Sequence, residues 1–185
     1  MGEQLGMPQR KYFGIALKYG LSGAALTLVG FTIAYFIFDN AVQSFRQLSF
    51  IMVIVFMFFA VKEYRATQSE RLLFWQGAAL SALTFLIFGL FTALALGIFL
   101  EYIDPESFSY YINYKLESLE RYRELMEADE FTRYSEMTKN QTPQGIAIEH
   151  LFGLIYVGVF GSLFIAAILR RAPGYQPKNQ KSIFI

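Results

Sequence analysis

The chain has no cysteine. That removes structural disulfides, thiolate-bound zinc, iron–sulfur clusters and covalently attached c-type haem. It has a single histidine, His150. One copy therefore cannot build a bis-histidine haem, and a lone imidazole with no second nitrogen or sulfur ligand is a poor metal site. Basic runs are missing too, because the 16 Lys and Arg residues are dispersed. This is not the footprint of a nucleic-acid-binding protein. No G-x-G-x-x-G or Walker pattern is present to cradle phosphate. No D-x-D-x-D-G loop is spaced for calcium, and no serine–histidine–acid or paired-carboxylate arrangement is legible. The expectation is a protein with no cofactor, no metal, no nucleic-acid partner and no enzymatic activity.

What the chain has is hydrocarbon. Apolar residues make up 55% of its 185 positions, more than a soluble domain normally carries. They gather in four runs, at residues 13–38, 41–61, 72–100 and 144–169. The first run exceeds the ~7–15 residues of a signal-peptide core and no A-x-A site follows it, so it reads as a span. The second is the weakest, since its purely apolar part covers only residues 48–61. A full crossing places Gln43, Arg46 and Gln47 at headgroup level, with Arg46 snorkelling outward. Phe50, Phe56, Phe58 and Phe59 predict a bulky lipid-facing surface there. The third run would be ~43 Å long as a helix, more than a bilayer needs, so it must tilt or protrude.

Small residues recur at helical spacing within these runs. Gly20, Gly23, Ala24, Thr27, Gly30 and Ala34 mark the first. Gly77, Ser81, Gly89, Ala93 and Gly97 mark the third, and Gly158, Ser162 and Ala166 the last. Such stripes let helix backbones approach closely. Trp75, Tyr64 and Tyr102 are placed for an aromatic belt.

Residues 101–143 form the one long hydrophilic segment, with ten acidic residues against five basic ones. Asp104-Pro105-Glu106 is a helix start: a capping carboxylate, a proline suited to the first turn, and an acid at the positive end of the dipole. Phe108, Tyr111, Ile112, Leu116, Leu119, Tyr122 and Met126 then share one side. Glu117–Arg121 and Arg123–Glu127 have the spacing of favourable pairs. A straight helix over residues 105–138 would be ~50 Å long. It could not stand upright and still return the chain to the membrane in the few residues that follow. A bend is expected at Ala128-Asp129-Glu130, with Asp129 capping a second short helix. Thr142-Pro143 starts the final span. The tail, residues 172–185, is expected to be flexible.

Charge sets an orientation. Arg10, Lys11, Lys18, Lys62, Arg65, Arg71, Arg170, Arg171, Lys178 and Lys181 all fall on one side of a four-span topology. The positive-inside rule then puts both termini in the cytoplasm and residues 101–143 outside, in the periplasm of a bacterium.

Five residues stand out as functional candidates. Glu149 is the one acid well inside a predicted span, where a carboxylate could carry a proton or bind a cation. The plainer reading pairs it near the headgroups with Arg46 or with a loop residue. His150 is its neighbour, but adjacent side chains diverge on a helix, so the two form no ready dyad. Lys62, Glu63 and Arg65 open a polar loop after the second span. They could touch lipid headgroups or a partner, or simply anchor the juxtamembrane segment.

Several local features resemble one family. They are Val61-Lys62-Glu63-Tyr64-Arg65 after the second span, Tyr102-Ile103-Asp104-Pro105-Glu106 after the third, the charged helix that follows, and a last span closed by Arg170-Arg171. Together they resemble the Bacteroidota inner-membrane family known as domain of unknown function four-one-nine-nine, over nearly the whole chain. The resemblance implies a four-helix integral membrane protein and supplies no activity, substrate or site residue. The expected architecture is an all-α antiparallel bundle of four transmembrane helices with an extracytoplasmic amphipathic helical excursion between helices three and four. The expected role is a non-enzymatic accessory or scaffold protein. It would contact the lipid bilayer and bind a membrane partner, or a second copy, through its small-residue faces and the 105–138 segment. The alternative is a small oligomeric transporter or proton-coupled carrier using Glu149.

Overall fold

The computed structural model describes residues 9–37, 40–68 and 72–170; the expected flexible tail at residues 172–185 lies outside them. Four long helices form the body: α1 (Gln9–Ile37), α2 (Ala41–Thr67), α3 (Phe74–Ile98) and α6 (Pro143–Leu169). A π-helical turn, Phe99–Ile103, extends α3. The excursion is α4 (Pro105–Glu120), a 3₁₀ turn (Arg123–Leu125) and α5 (Ala128–Lys139). All four long helices are long and apolar enough to cross a membrane.

Side-chain contacts fix the register of the bundle. The Tyr12 hydroxyl donates to the Gln76 carbonyl at one end (3.1 Å), and the Tyr35 hydroxyl donates to Asp104 at the other (2.9 Å). So α1 and α3 run side by side in one direction. Helix α2 runs against α1, with Lys18 paired to Glu63 and Leu48 filling the notch at Gly30. Helix α6 runs against α3, with Ala166 on Gly77 and Ala147 on Gly97. The predicted small-residue stripes are therefore close-packing faces within this chain. A Cβ placed on Gly158 would fall 2.5 Å from the Phe85 ring, so only glycine lets α6 approach there.

On the four long helices both the interior and the surface are rich in apolar side chains. Val53, Met57, Leu80, Phe88 and Leu154 are wholly buried, while Phe36 (81%) and Phe160 (71%) are among the most exposed side chains. A water-facing surface would not carry so much exposed hydrocarbon, whereas a lipid-facing one needs it. The backbone polar groups are satisfied within the helices, as a hydrocarbon surround requires.

The helix starts follow local chemistry. Asp104 Oδ1 accepts from the Ser107 amide (3.2 Å) and Pro105 opens α4. Thr142 Oγ1 accepts from the Gly145 amide (3.1 Å) and Pro143 opens α6. Each side chain satisfies an amide that has no carbonyl partner in the first turn.

Other expectations are corrected. Phe50 and Phe56 turn inward, because glycines on neighbouring helices leave room: Phe50 packs at Gly153 and Phe56 at Gly23. Phe58 and Phe59 do face outward. Trp75 and Tyr102 are exposed, but Tyr64 is buried edge-on against Tyr12, with ring centroids 5.3 Å apart. The expected loop after residue 61 is the end of α2, which stays helical through Thr67 because the buried Tyr64 still packs on the partly buried Tyr12 of α1. The bend in the excursion falls at residues 121–127, earlier than expected. Glu127 precedes α5 and Asp129 lies in its first turn, where an acid suits the dipole. Once α4 stops at Glu120, Arg123 loses helical spacing to Glu127 and pairs back to Glu120 at 2.8 Å.

Candidate functional site

Five side chains converge where α2, the α4–α5 hairpin and α6 meet. Arg46, one turn into α2, donates to Glu149 Oε1 at 2.9 Å. Lys115 reaches down from α4 and donates to Glu149 Oε2 at 2.9 Å. Gln141, in the turn after α5, donates to the same oxygen at 3.0 Å and accepts from Lys115 at 3.0 Å. Arg46 also donates to the Tyr111 hydroxyl. Both cations lie near the Tyr111 ring, at 5.9 Å for Arg46 and 5.7 Å for Lys115.

The electrostatics explain why the cluster holds together. Arg46 is 15% exposed, Lys115 24% and Glu149 37%, so each charge has lost much of its water. A partly desolvated charge is tolerated only when it is paired and hydrogen-bonded. Two cations on one carboxylate leave the group with one excess positive charge, shared with the Tyr111 and Gln141 dipoles. Burial pushes the Tyr111 phenol above its ordinary range, which keeps its hydroxyl neutral. Arg46 therefore does not snorkel outward as expected. Glu149 and Tyr111 give it acceptors inside the protein, and that outweighs exposure. The carboxylate is occupied by its three donors, and the arrangement acts as a clamp that fastens the hairpin to the bundle.

His150 sits beside this clamp but faces the other way. It is wholly buried between the rings of Phe45 and Phe50, with centroids 5.4 Å and 6.2 Å away. Neither ring nitrogen has a hydrogen-bond partner among the described residues. Thr27, Ser49 and Thr92 are also wholly buried. The register set by Phe56 on Gly23, Phe50 on Gly153 and Ala147 on Gly97 brings these residues to nearly the same depth as His150. Each of the four long helices thus has a buried polar residue at roughly this depth. The three hydroxyls donate to carbonyls of their own helices.

At the opposite end, Glu63 accepts from Lys18 (2.7 Å) and from the Tyr19 hydroxyl (2.6 Å). This ties α2 to α1. Lys62 is exposed, and Arg65 is partly buried on the last turns of α2. The structure therefore joins Arg46 to Glu149 and leaves Lys62, Glu63 and Arg65 together at the far end of the bundle. Sequence reasoning missed Lys115, Gln141 and Tyr111 as members of the first cluster, and Lys18 and Tyr19 as members of the second. The one signal was the need of Glu149 for donors. The Lys115–Glu149 separation of 34 positions matches no helical period.

The hairpin adds a surface feature. A groove of about 860 Å³ runs between α4 and α5, lined by Tyr114, Leu119, Tyr122, Tyr134 and Met137, with Lys115, Arg133 and Glu136 among its charged groups. Tyr122 and Met137 are each 59% exposed within it.

A protein-family model described as "Protein of unknown function (DUF4199)" matches residues 18–171. No curated protein matches the chain. No solved structure matches it either.

Proposed function

The chain belongs to the DUF4199 family, proteins of unknown function that supply no reaction to inherit, and we propose from the geometry that it is a non-enzymatic accessory or scaffold protein of the membrane. The observation that carries this reading is the hairpin groove. The small-residue stripes pack largely inside the bundle, and the α4–α5 hairpin offers a surface for a partner outside it. Its exposed tyrosines and Met137 resemble the core of a protein interface, where aromatic residues, Met and Arg are enriched. The occupant that fits is a polypeptide segment of another membrane component. It would be apolar along its contact face and carry an acidic residue for Arg133.

The test is extraction in a mild detergent followed by particle mass and composition. A stoichiometric second polypeptide that is lost in Tyr122→Ala and Met137→Ala, with the particle otherwise intact, is the expected result. A partner that stays bound in both variants sinks the hairpin reading. The orientation proposed is that of a bacterial inner membrane, with both termini cytoplasmic and the hairpin periplasmic. Lys18, Lys62 and Arg65 at the end away from the hairpin support it. With no native cysteine, Glu120→Cys should react with an impermeant maleimide in spheroplasts and Lys62→Cys should not.

A second reading is a small oligomeric transporter or proton-coupled carrier. The unpartnered His150, at roughly the depth of a buried polar residue on each other long helix and next to the Glu149 clamp, favours it. A particle containing only copies of this chain, with vesicle flux lost in Glu149→Gln, would move the weight there. Unchanged flux in that variant would remove it.

A further inference from the structure

We propose that the outer side of the α1–α3 pair holds a membrane lipid with a primary ammonium headgroup. An apolar groove of about 490 Å³ runs between these helices, walled by Leu28, Phe31, Phe36, Ala95, Ile98 and Ile103. At its hairpin end lies a polar recess of about 520 Å³, lined by Asp104, Glu106, Ser107 and Tyr110. Tyr35 and Phe36 line both spaces, so the two are neighbours. Side by side they have the polarity of a lipid: a hydrocarbon trough near the end of the spans and a polar recess where α4 begins.

The charge of the recess selects the headgroup. Asp104 accepts from the Ser107 amide, from the Ser107 hydroxyl at 2.6 Å and from the Tyr35 hydroxyl at 2.9 Å. All three donors are neutral. They hold the Asp104 carboxyl below its ordinary range without cancelling its charge, the Ser107 bond contributing most. Among the described residues no cation lies within ion-pair distance of Asp104 or Glu106. Two carboxylates with no ion-pair partner among the described residues, offset only by the positive end of the α4 dipole, attract a cation. A primary ammonium has three donors to give to carboxylates, which a quaternary one lacks. An anionic headgroup would be repelled.

The backbone supports a built site as well. The π-helical turn Phe99–Ile103 is closed by the Asp104 amide donating to the Phe99 carbonyl at 2.8 Å. It occurs where Ile98, Phe99 and Ile103 wall the groove. Single π turns within helices are often found at functional sites.

The experiment is native mass spectrometry of the full chain. It is released from nanodiscs holding equal parts of phosphatidylethanolamine, phosphatidylcholine and phosphatidylglycerol. The expected result is preferential retention of phosphatidylethanolamine. Glu106→Gln should reduce that preference by about fivefold, the equivalent of about 1 kcal/mol for one partly exposed charge pair. Glu106 caps no helix, so this variant keeps its fold. Ala95→Phe, which fills the trough, should lower retention of every lipid class together. Equal retention of all three headgroups, a preference for either of the others, or a preference unmoved by Glu106→Gln would each overturn the proposal.

Discussion

The seam between α3 and α6 and the hairpin of α4 and α5 are built on opposite terms. The seam uses small residues, carries no charge, and brings two long helices together along their whole length. Phe85 sits on Gly158, Ala166 on Gly77 and Leu151 beside Gly89. The hairpin is short, acidic and largely exposed, and it holds to the bundle at a few points. Tyr111 and Ile112 are its buried side chains, joined to the cluster of Val42, Phe45, Leu96 and Ile146. Lys115 and Gln141 add the polar clamp on Glu149. Stability therefore sits mainly in the seam, where dispersion and close approach are the forces available in lipid. The hairpin contributes little to it, and the groove on its outer side lies open. Regions that bind are commonly drawn from this less tightly packed part of a protein.

The contrast can be broken at either side. The largest effect is expected at the seam. Gly158→Leu would drive carbon into the Phe85 ring and should destabilise the bundle by about 3 kcal/mol through overpacking. Reversible unfolding in mixed micelles would measure it. A change as small as that of Lys62→Ala, an exposed surface change expected to stay within about 0.5 kcal/mol, would show that the helices are not held by close packing. The middle effect is at the clamp. Arg46→Ala removes one charged donor from Glu149 and the donor to Tyr111, at a cost of about 2 kcal/mol. Protease cleavage within residues 121–127 should accelerate while the four long helices stay intact. If cleavage is unchanged, the clamp does not restrain the hairpin.

The smallest effect is at the start of α4. Asp104→Asn keeps a capping side chain but removes the charge at the positive end of the α4 dipole, and should cost about 0.5 kcal/mol at neutral pH. The folded-state value of Asp104 lies below the ordinary aspartate value of 3.8. Its contribution is therefore fully present above that value and lost as the pH falls through the lower folded-state one. Wild type and variant should converge under those acidic conditions. A stability difference that persists there would mean that the carboxylate charge is not what matters.

Much of the fold was legible because the forces that set it are local or periodic. Four apolar runs predict four membrane helices, since uncompensated backbone cannot remain in hydrocarbon. Asp104-Pro105 and Thr142-Pro143 predict helix starts, since capping needs only a few neighbouring residues. Small residues four positions apart predict close-packing faces. Glu149 also announced a need for partners, because a carboxylate inside a span cannot be left without donors.

The tertiary structure alone decided what those predictions met. It spent the small-residue stripes largely on the chain's own helices, since a nearby partner in the same chain pays far less entropy than a second molecule. It turned Arg46 inward because Lys115, Gln141 and Tyr111, distant along the chain, built a polar nook that no periodicity encodes. It moved the hairpin bend to residues 121–127 and left the tyrosines of α4 and α5 around an open groove. It also buried His150 at roughly the depth of a buried polar residue on each of the other long helices. Sequence by itself determined that this is a multi-span helical membrane protein. Which side chains meet, and which remain unpartnered, depended on helix register and rotation, and these are fixed only when all four helices pack at once.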